Sequence, residues 1–345
     1  MADERVDSEI VTQFLLNTCR LRPRLNEHAV QAALHCARIA TRHPDYDVEA
    51  DLIPLTTGSV AEFYIEPMLP CVGDIDVMFH RSTWLAIPRG YPPPTQLPAE
   101  FQDYVQVFEI IDSHLPGYVY LKYRYLLTYC LEDEKYNYVE YDDEVYIGGE
   151  GDGTVHGPAR LTVFDCPALL SLDTVACVPC LSWPPQAADW QERIRNMIRN
   201  CDWPDSAIVD RVLINGCDMV NVAHVQCRQH EWKDKAQWRL SFSRAEIELI
   251  NSWMPVQQIV YHMLRVFTKN ERLKNTEGSS EAGTLSNYHI KTLMLWACEL
   301  KPRSWWTDDL NLIRICVELL HTLAVWLSEA RCKHYFIHDC NHGSC

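Results

Sequence analysis

Apolar positions along the chain change their period twice. Residues 7–19 form a short amphipathic segment, and residues 26–43 carry Val30, Ala33, Leu34, Ala37 and Ala40 at the spacing of one helix face, which predicts a long helix. From residue 51 to about 185 the pattern becomes short β-like runs separated by turns: Leu52–Leu55, Ile75–Phe79, Tyr104–Ile111, Tyr118–Leu127 and Leu161–Phe164, with Pro92-Pro93-Pro94 and the glycine-rich 148–153 stretch as loops. Past residue 186 the helical period returns and persists, interrupted by one brief strand near Trp238–Ser243. Helices are predicted at 188–200, at 244–253 before Pro255, at 256–270, at 287–300, and at 308–331 behind an Asp308-Asp309 first turn. This order predicts an α+β chain: a mixed sheet with a long N-terminal helix as a core lobe over residues 1–240, then an all-α lobe over 241–345.

Two apolar runs carry acids that such runs rarely contain. In a strand, successive side chains alternate between faces, so Asp74 and Asp76 share one face while Ile75 and Val77 share the other. Two carboxylates side by side, with no arginine or lysine in residues 56–79, repel one another unless a divalent cation lies between them. Taken alone, the pair fits either a solvated strand end or such a cation wall. Upstream, Gly58 allows the backbone to approach a polyphosphate closely and Ser59 offers it a hydroxyl. A second apolar run, Leu169–Val178, holds one carboxylate, Asp173, which is costly to bury without a partner. A cation held by Asp74 and Asp76 would be that partner, giving a three-acid site for phosphoryl chemistry; a lone strand-end aspartate is the alternative.

Composition narrows the classes. At 345 residues and 47% hydrophobic the chain can bury a substantial core, no apolar run approaches a membrane span, and the N-terminus lacks the charged-then-apolar order of a signal peptide. A cytoplasmic protein with no membrane partner is expected. The fifteen cysteines are scattered through apolar segments, as at Cys36, Cys130, Cys298 and Cys316, which predicts reduced core thiols. Cys177-Val-Pro-Cys180 is open to reading as a metal half-site, although no second pair accompanies it; the Cys- and His-rich tail from Cys332 to Cys345 reads as a frayed terminus. A net charge of −16 argues against a general nucleic-acid coat, yet residues 131–153 hold nine carboxylates against Lys135 alone, and that stretch reads as an exposed hairpin or loop. Elsewhere Arg20, Arg22, Arg24, Arg38 and Arg42 form a basic strip that is either a solvated face or a phosphate-binding one.

Thr57-Gly58-Ser59 followed by Asp74-Ile75-Asp76-Val77-Met78 resembles the active-site entry of polymerase-β-like nucleotidyltransferases, and within them the cyclic GMP-AMP synthase-like receptors of the Mab-domain family. His156-Gly157-Pro158-Ala159, Trp183-Pro184 and Trp190 are similar to further hallmarks of that family, and Asp173 falls where it keeps a third metal ligand. The resemblance implies a bilobed, metal-dependent nucleotidyltransferase that joins ATP and a second nucleoside triphosphate, GTP or UTP, into a cyclic dinucleotide read by a downstream receptor in innate immune sensing. Asp74, Asp76 and Asp173 would hold Mg²⁺ or Mn²⁺ and serve catalysis. Thr57, Gly58 and Ser59 would grip the triphosphate; Arg239, Ser241, Ser243 and Glu246 would hold phosphate, ribose or base edge; and Asn287 and Tyr288 would line the pocket, the latter by stacking. A catalytically silent Mab-domain scaffold and an RNA-tailing transferase are the alternatives that the same resemblance allows.

The chain departs from the vertebrate DNA sensor of that family in two places. Ser243 runs through Ile250 and Trp253 to Pro255 with no His/Cys insertion, so no structural zinc is expected, and Tyr261 lies near the position of a lysine on the next helix. Without the zinc-supported DNA surface, the expected activator is double-stranded RNA, recognised by shape along the 20–42 strip with help from Arg193, Arg195 and Arg199.

Overall fold

The structure, a computed structural model, describes residues 52–57, 74–148, 160–163, 171–197, 203–222, 224, 236–275, 286–307, 312–338 and 340. The amphipathic segment 7–19 and the helix predicted over 26–43 lie outside the described residues. Among those described, the strands are β1 (Leu52–Thr57), β2 (Asp74–Arg81), β3 (Trp84–Pro88), β4 (Tyr104–Asp112), β5 (Tyr118–Cys130), β6 (Lys135–Glu140), β7 (Arg160–Val163), β8 (Ser171–Cys180), β9 (Cys217–Val220) and β10 (Gln237–Ser241). The helices are α1 (Ala188–Met197), α2 (Ser206–Asn215), α3 (Ser243–Asn251), α4 (Pro255–Asn275), α5 (Asn287–Leu300), α6 (Arg303–Thr307) and α7 (Leu312–Ser328). The fold is mixed α+β.

All ten of these strands belong to one mixed sheet. β8 is its hub. One edge of β8 pairs in parallel with β2 and then meets β3 at Ala86, while the other pairs antiparallel with β7 and then β9. From β3 the ladder runs through β4, β5 and β10 to β9 and so returns to β8, closing on itself. Alternation drives this arrangement: β4 shows the burial of a strand with one core face, and Leu85, Ile87, Val105, Val107, Leu127 and Tyr136 from neighbouring strands form one apolar cluster with Phe101.

The described residues fall into two compact units. The sheet unit takes the chain up to Ala188 and again Asp210–Glu248; the helical unit takes Asp189–Val209 and the chain from Leu249 onward. In the helical unit α4, α5 and α7 pack on one another, and Trp190, Tyr261, Trp306, Tyr335 and Phe336 are fully buried. Here residues 332–338 and 340 depart from the frayed terminus predicted for the tail, the rest of which lies outside the described residues. Tyr335 meets Trp190 and Phe336 edge-on, Phe336 lies tilted against Trp190, and Cys332 and Cys340 are buried, because this aromatic cluster gains more from burying these residues than they lose in freedom.

Further differences concern short elements. α2 stands in the stretch read as helical although no span was given for it, β9 adds a second strand to that stretch, and β3 follows β2 after only two residues. Within the acidic segment residues 131–140 complete a hairpin, β5–β6, whose tyrosines meet across the strands as Tyr129–Tyr136 and Tyr125–Tyr138, while 149–153 lie outside the described residues. Of the helix predicted over 308–331, residues 308–311 lie outside the described residues, Leu312–Ser328 is helical, and a separate short helix, α6, precedes it.

The turn from α2 into β9 depends on Gly216, whose φ of +65° is costly for an L side chain, and whose absent Cβ leaves room for the Cys180 carbonyl oxygen. Gly216→Ala is therefore expected to destabilise the sheet unit by at least about 2 kcal/mol, since strain and collision act together. Chemical denaturation of the two proteins side by side checks this; equal midpoints would contradict it.

Candidate active site

Strand pairing brings the three sequence-predicted acids into one neighbourhood of the sheet. β2 and β8 run parallel with Asp74 opposite Ser171 and Asp76 opposite Asp173, and Thr57 of β1 lies opposite Asp76 on the other side. Neighbouring strands stand about 4.8 Å apart and register partners share a face, so positions 74, 76 and 173 form one patch. Asp76 is partly buried, and Thr57, itself buried, donates its hydroxyl to the Asp76 carbonyl oxygen at 3.4 Å. The side chains of Asp74 and Asp173, and all of Gly58 and Ser59, lie outside what the structure describes. Three carboxylates are a hard oxygen donor set, which suits Mg²⁺ or Mn²⁺ and not a thiophilic ion. Among the described side chains no group of three or more His, Cys, Asp or Glu residues is placed to hold a metal ion.

The same face continues across the sheet. Beyond the acids Met78, Cys177, Val220 and Val222 make an apolar band with Leu55 and Val175 against it. Arg239 is opposite Val220, and Ser241 opposite Asp218, so these two candidate nucleotide contacts share the acids' face. Ser241 and Ser243 hydroxyls hydrogen-bond each other at 3.0 Å, and Glu246, in the first turn of α3, is buried. Asn287 and Tyr288 open α5 in the helical unit, where a Ser286–His289 capping box starts the helix. Tyr288 is anchored from behind: His334 Nδ1 accepts the backbone N–H groups of Phe336 and Ile337 at 3.0 and 3.1 Å, which leaves the ring proton on Nε2, 3.4 Å from the Tyr288 hydroxyl.

Sequence reading missed a buried charge cluster on this face. Asp218 of β9 is completely buried and accepts from His80 Nε2 at 2.9 Å, from Arg244 Nε at 3.0 Å and from Arg244 Nη2 at 2.8 Å. Arg244 Nη2 also donates to the Cys217 carbonyl at 2.8 Å. Burial alone would raise the Asp218 pKa, but the Arg244 charge and the His80 contact outweigh it and hold the carboxyl below its ordinary range. The signal was available: one carboxylate in the apolar run Cys217-Asp218-Met219-Val220 poses the same problem as Asp173.

The Cys177–Cys180 pair, which the sequence left open to reading as a metal half-site, does not converge. An odd spacing in a strand sends its ends to opposite faces, and the two thiols donate to different carbonyls, of Phe79 and of Ser182, each at 3.3 Å. All eight described cysteines are free, seven of them buried. No helix among the described residues is long and apolar enough to cross a membrane.

Of the arginines expected to meet RNA, Arg20, Arg22, Arg24, Arg38, Arg42 and Arg199 lie outside the described residues. Arg193 is engaged inside the helical unit: it forks onto the buried Glu299 at 2.8 and 3.2 Å, donates to the Tyr335 carbonyl at 3.0 Å and lies 4.3 Å from the Trp296 ring centre. Arg195 is exposed.

Comparison with known proteins bears on both units. Residues 135–252 match the family model described as the Mab-21 protein nucleotidyltransferase domain, and residues 257–342 that of the Mab-21 protein HhH/H2TH-like domain. The chain is 27% identical over 161 residues to a protein of Drosophila melanogaster named Protein mab-21-like, and 29% identical to proteins of that name from Aedes aegypti, over 161 residues, and Anopheles gambiae, over 163. Each match takes in 45% of this chain and 39% of the relative, so the chain spans about two-fifths of the curated relatives it matches. A Mab-21 nucleotidyltransferase domain is thus present. The matched span includes Asp173 and the Arg239–Glu246 segment and begins after Asp74 and Asp76.

The contrast between Arg193 and Arg195 is measurable. Arg193→Ala strands the Glu299 carboxylate in the core and is expected to cost about 3–5 kcal/mol, whereas Arg195→Ala should stay within about 0.5 kcal/mol. Thermal unfolding of both variants checks this; an Arg193→Ala protein as stable as Arg195→Ala would contradict it.

Proposed function

We propose that the Mab-21 nucleotidyltransferase domain of this chain performs metal-dependent nucleotidyl transfer, joining ATP to GTP or UTP as a cyclic dinucleotide and releasing pyrophosphate. The observation that carries the reading is the β2–β8 register, which aligns Asp76 with Asp173 two residues from Asp74. Three acids gathered on one patch repel at neutral pH, and a strand pair with no use for a cation has no reason to keep them together.

In this reading Asp74, Asp76 and Asp173 hold the metal. Mg²⁺ or Mn²⁺, when bound there, supplies Lewis-acid activation of a ribose hydroxyl and charge neutralisation on the departing pyrophosphate. Thr57, Gly58 and Ser59 bind and orient the triphosphate through backbone amides and hydroxyls. Arg239 offsets phosphate charge, Ser241 and Ser243 present a pair of hydroxyls already aligned by their mutual hydrogen bond, and buried Glu246 offers an acceptor to a ribose or base edge. Tyr288, its hydroxyl tethered by His334, serves as a base platform beside Asn287. Double-stranded RNA is the proposed trigger in the cytoplasm. Its surface would comprise the 20–42 arginines with Arg195 and Arg199, Arg193 acting only to brace α1. The product would act through a separate receptor.

The test incubates the chain with all four labelled triphosphates and Mg²⁺ or Mn²⁺, with duplex RNA, duplex DNA, single strands or no nucleic acid, and separates the products. A small cyclic product stimulated by duplex RNA is expected. Asp76→Asn should lower its formation by about a thousandfold or more at unchanged fold, because a carboxamide binds the cation far more weakly. Long tailed RNA, or no product under any condition, would overturn the cyclic-dinucleotide reading, and full activity of Asp76→Asn would remove that residue from the site.

A further inference from the structure

The acids stand on β2 and β8, while Arg239, Ser241, Ser243 and Glu246, assigned to phosphate, ribose or base edge, stand on β10 and the first turn of α3, more than a hundred positions later in the chain than Asp76. The β2–β8, β8–β9 and β9–β10 ladders connect the strands, but α3, which carries Ser243 and Glu246, lies beyond the last of them. One buried side-chain cluster joins α3 to both β9 and β2. His80 lies on β2 four residues beyond Asp76 on the same face, Asp218 lies on β9, and Arg244 follows Ser243 at the start of α3. Through Asp218 the acid-bearing strand is tied directly to the segment that presents Ser241, Ser243 and Glu246.

Building on the nucleotidyl-transfer reading, we propose that the Arg244–Asp218–His80 cluster is a positioning clamp that fixes the start of α3, with the hydroxyl pair of Ser241 and Ser243, relative to the acid patch. Its geometry exceeds what charge neutralisation requires. A single cation beside Asp218 would suffice for neutrality, yet Arg244 approaches the carboxylate with two nitrogens and turns one of them also to the Cys217 carbonyl, so its head group is fixed relative to β9 in two directions. The energetics point the same way. Completely burying a carboxylate carries a large desolvation penalty, and a well-packed apolar pair of similar volume commonly stabilises a core as well or better. What an apolar pair lacks is direction. The serines depend on direction, since Ser243 directly precedes Arg244 and its hydroxyl is bonded to that of Ser241. Displacing a binding group by about 1 Å is enough to lower function by about a hundredfold. His80, Asp218 and Arg244 touch no substrate in this account; they act through the residues they hold.

The test separates position from stability. The double variant Asp218→Leu with Arg244→Met removes the hydrogen bonds without leaving a buried charge. Binding of a fluorescent nucleoside triphosphate with Mg²⁺ is measured beside thermal unfolding, and Arg244→Lys is measured in parallel. The clamp predicts a folded double variant whose triphosphate affinity is lower by about tenfold or more, with partial recovery in Arg244→Lys, which keeps the charge and loses the fork. A folded double variant that binds like the wild type overturns the clamp. Should the double variant not fold, Arg244→Lys decides: affinity reduced several-fold supports the clamp, and wild-type affinity overturns it. Failure of the unsubstituted chain to bind any triphosphate removes the nucleotidyl-transfer reading itself, and the clamp with it, a result distinguishable because it needs no variant.

Discussion

The parallel pairing of β2 with β8 is the constraint on which the candidate site depends, because side chains in paired strands share a face only when the register is right. A slip of one residue would send Asp173 to the opposite face from Asp76 and dissolve the patch. That register is held from several sides. β8 is paired along both edges, by β2 and β3 on one and by β7 and β9 on the other, so no shift of β8 is possible without breaking four ladders. Its C-terminal half is buried, with Cys177, Val178 and Cys180 essentially inaccessible to solvent, which adds an apolar penalty to any slip.

Buried charge then organises the surroundings of this hub. The sheet unit contains a fully buried aspartate met by an arginine and a histidine, and the helical unit contains a fully buried glutamate met by an arginine that also stacks on Trp296. Each pair joins segments far apart in sequence, β9 to α3 and α1 to α5. In both cases the arginine uses its fork and reaches a backbone carbonyl as well, a combination that specifies geometry more than it adds stability. Arg193 illustrates the limit of counting charges along a sequence: it looked like part of a basic strip, and its guanidinium is occupied within the fold.

Much of the architecture was legible from periodicity. The long strands β4 and β5 and the helix α5 follow their predicted spans closely, since each is long enough for a clear period and flanked by turn or cap residues. Short elements were not. β3 and β9 are defined by strand partners distant in sequence, and no local pattern announces them. For the site, the reasoning that a carboxylate in an apolar run needs a partner singled out Asp173, and the fold aligns it with Asp76. The same reasoning applied to Asp218 would have pointed to a buried cluster, but its partners, His80 and Arg244, stand 138 and 26 residues away and could not be named without the fold. The tail was misjudged for a related reason: Tyr335 and Phe336 find their partner in Trp190, which only tertiary packing supplies.

The central claim is that the sheet face at β2 and β8 is a divalent-metal site for a nucleoside triphosphate. Anomalous scattering from crystals grown with Mn²⁺ and a non-hydrolysable triphosphate tests it most directly. The account predicts manganese peaks ligated by Asp74, Asp76 and Asp173 with the triphosphate running toward Gly58 and Ser59. A well-occupied triphosphate elsewhere on the protein, with no manganese at these carboxylates, would contradict it.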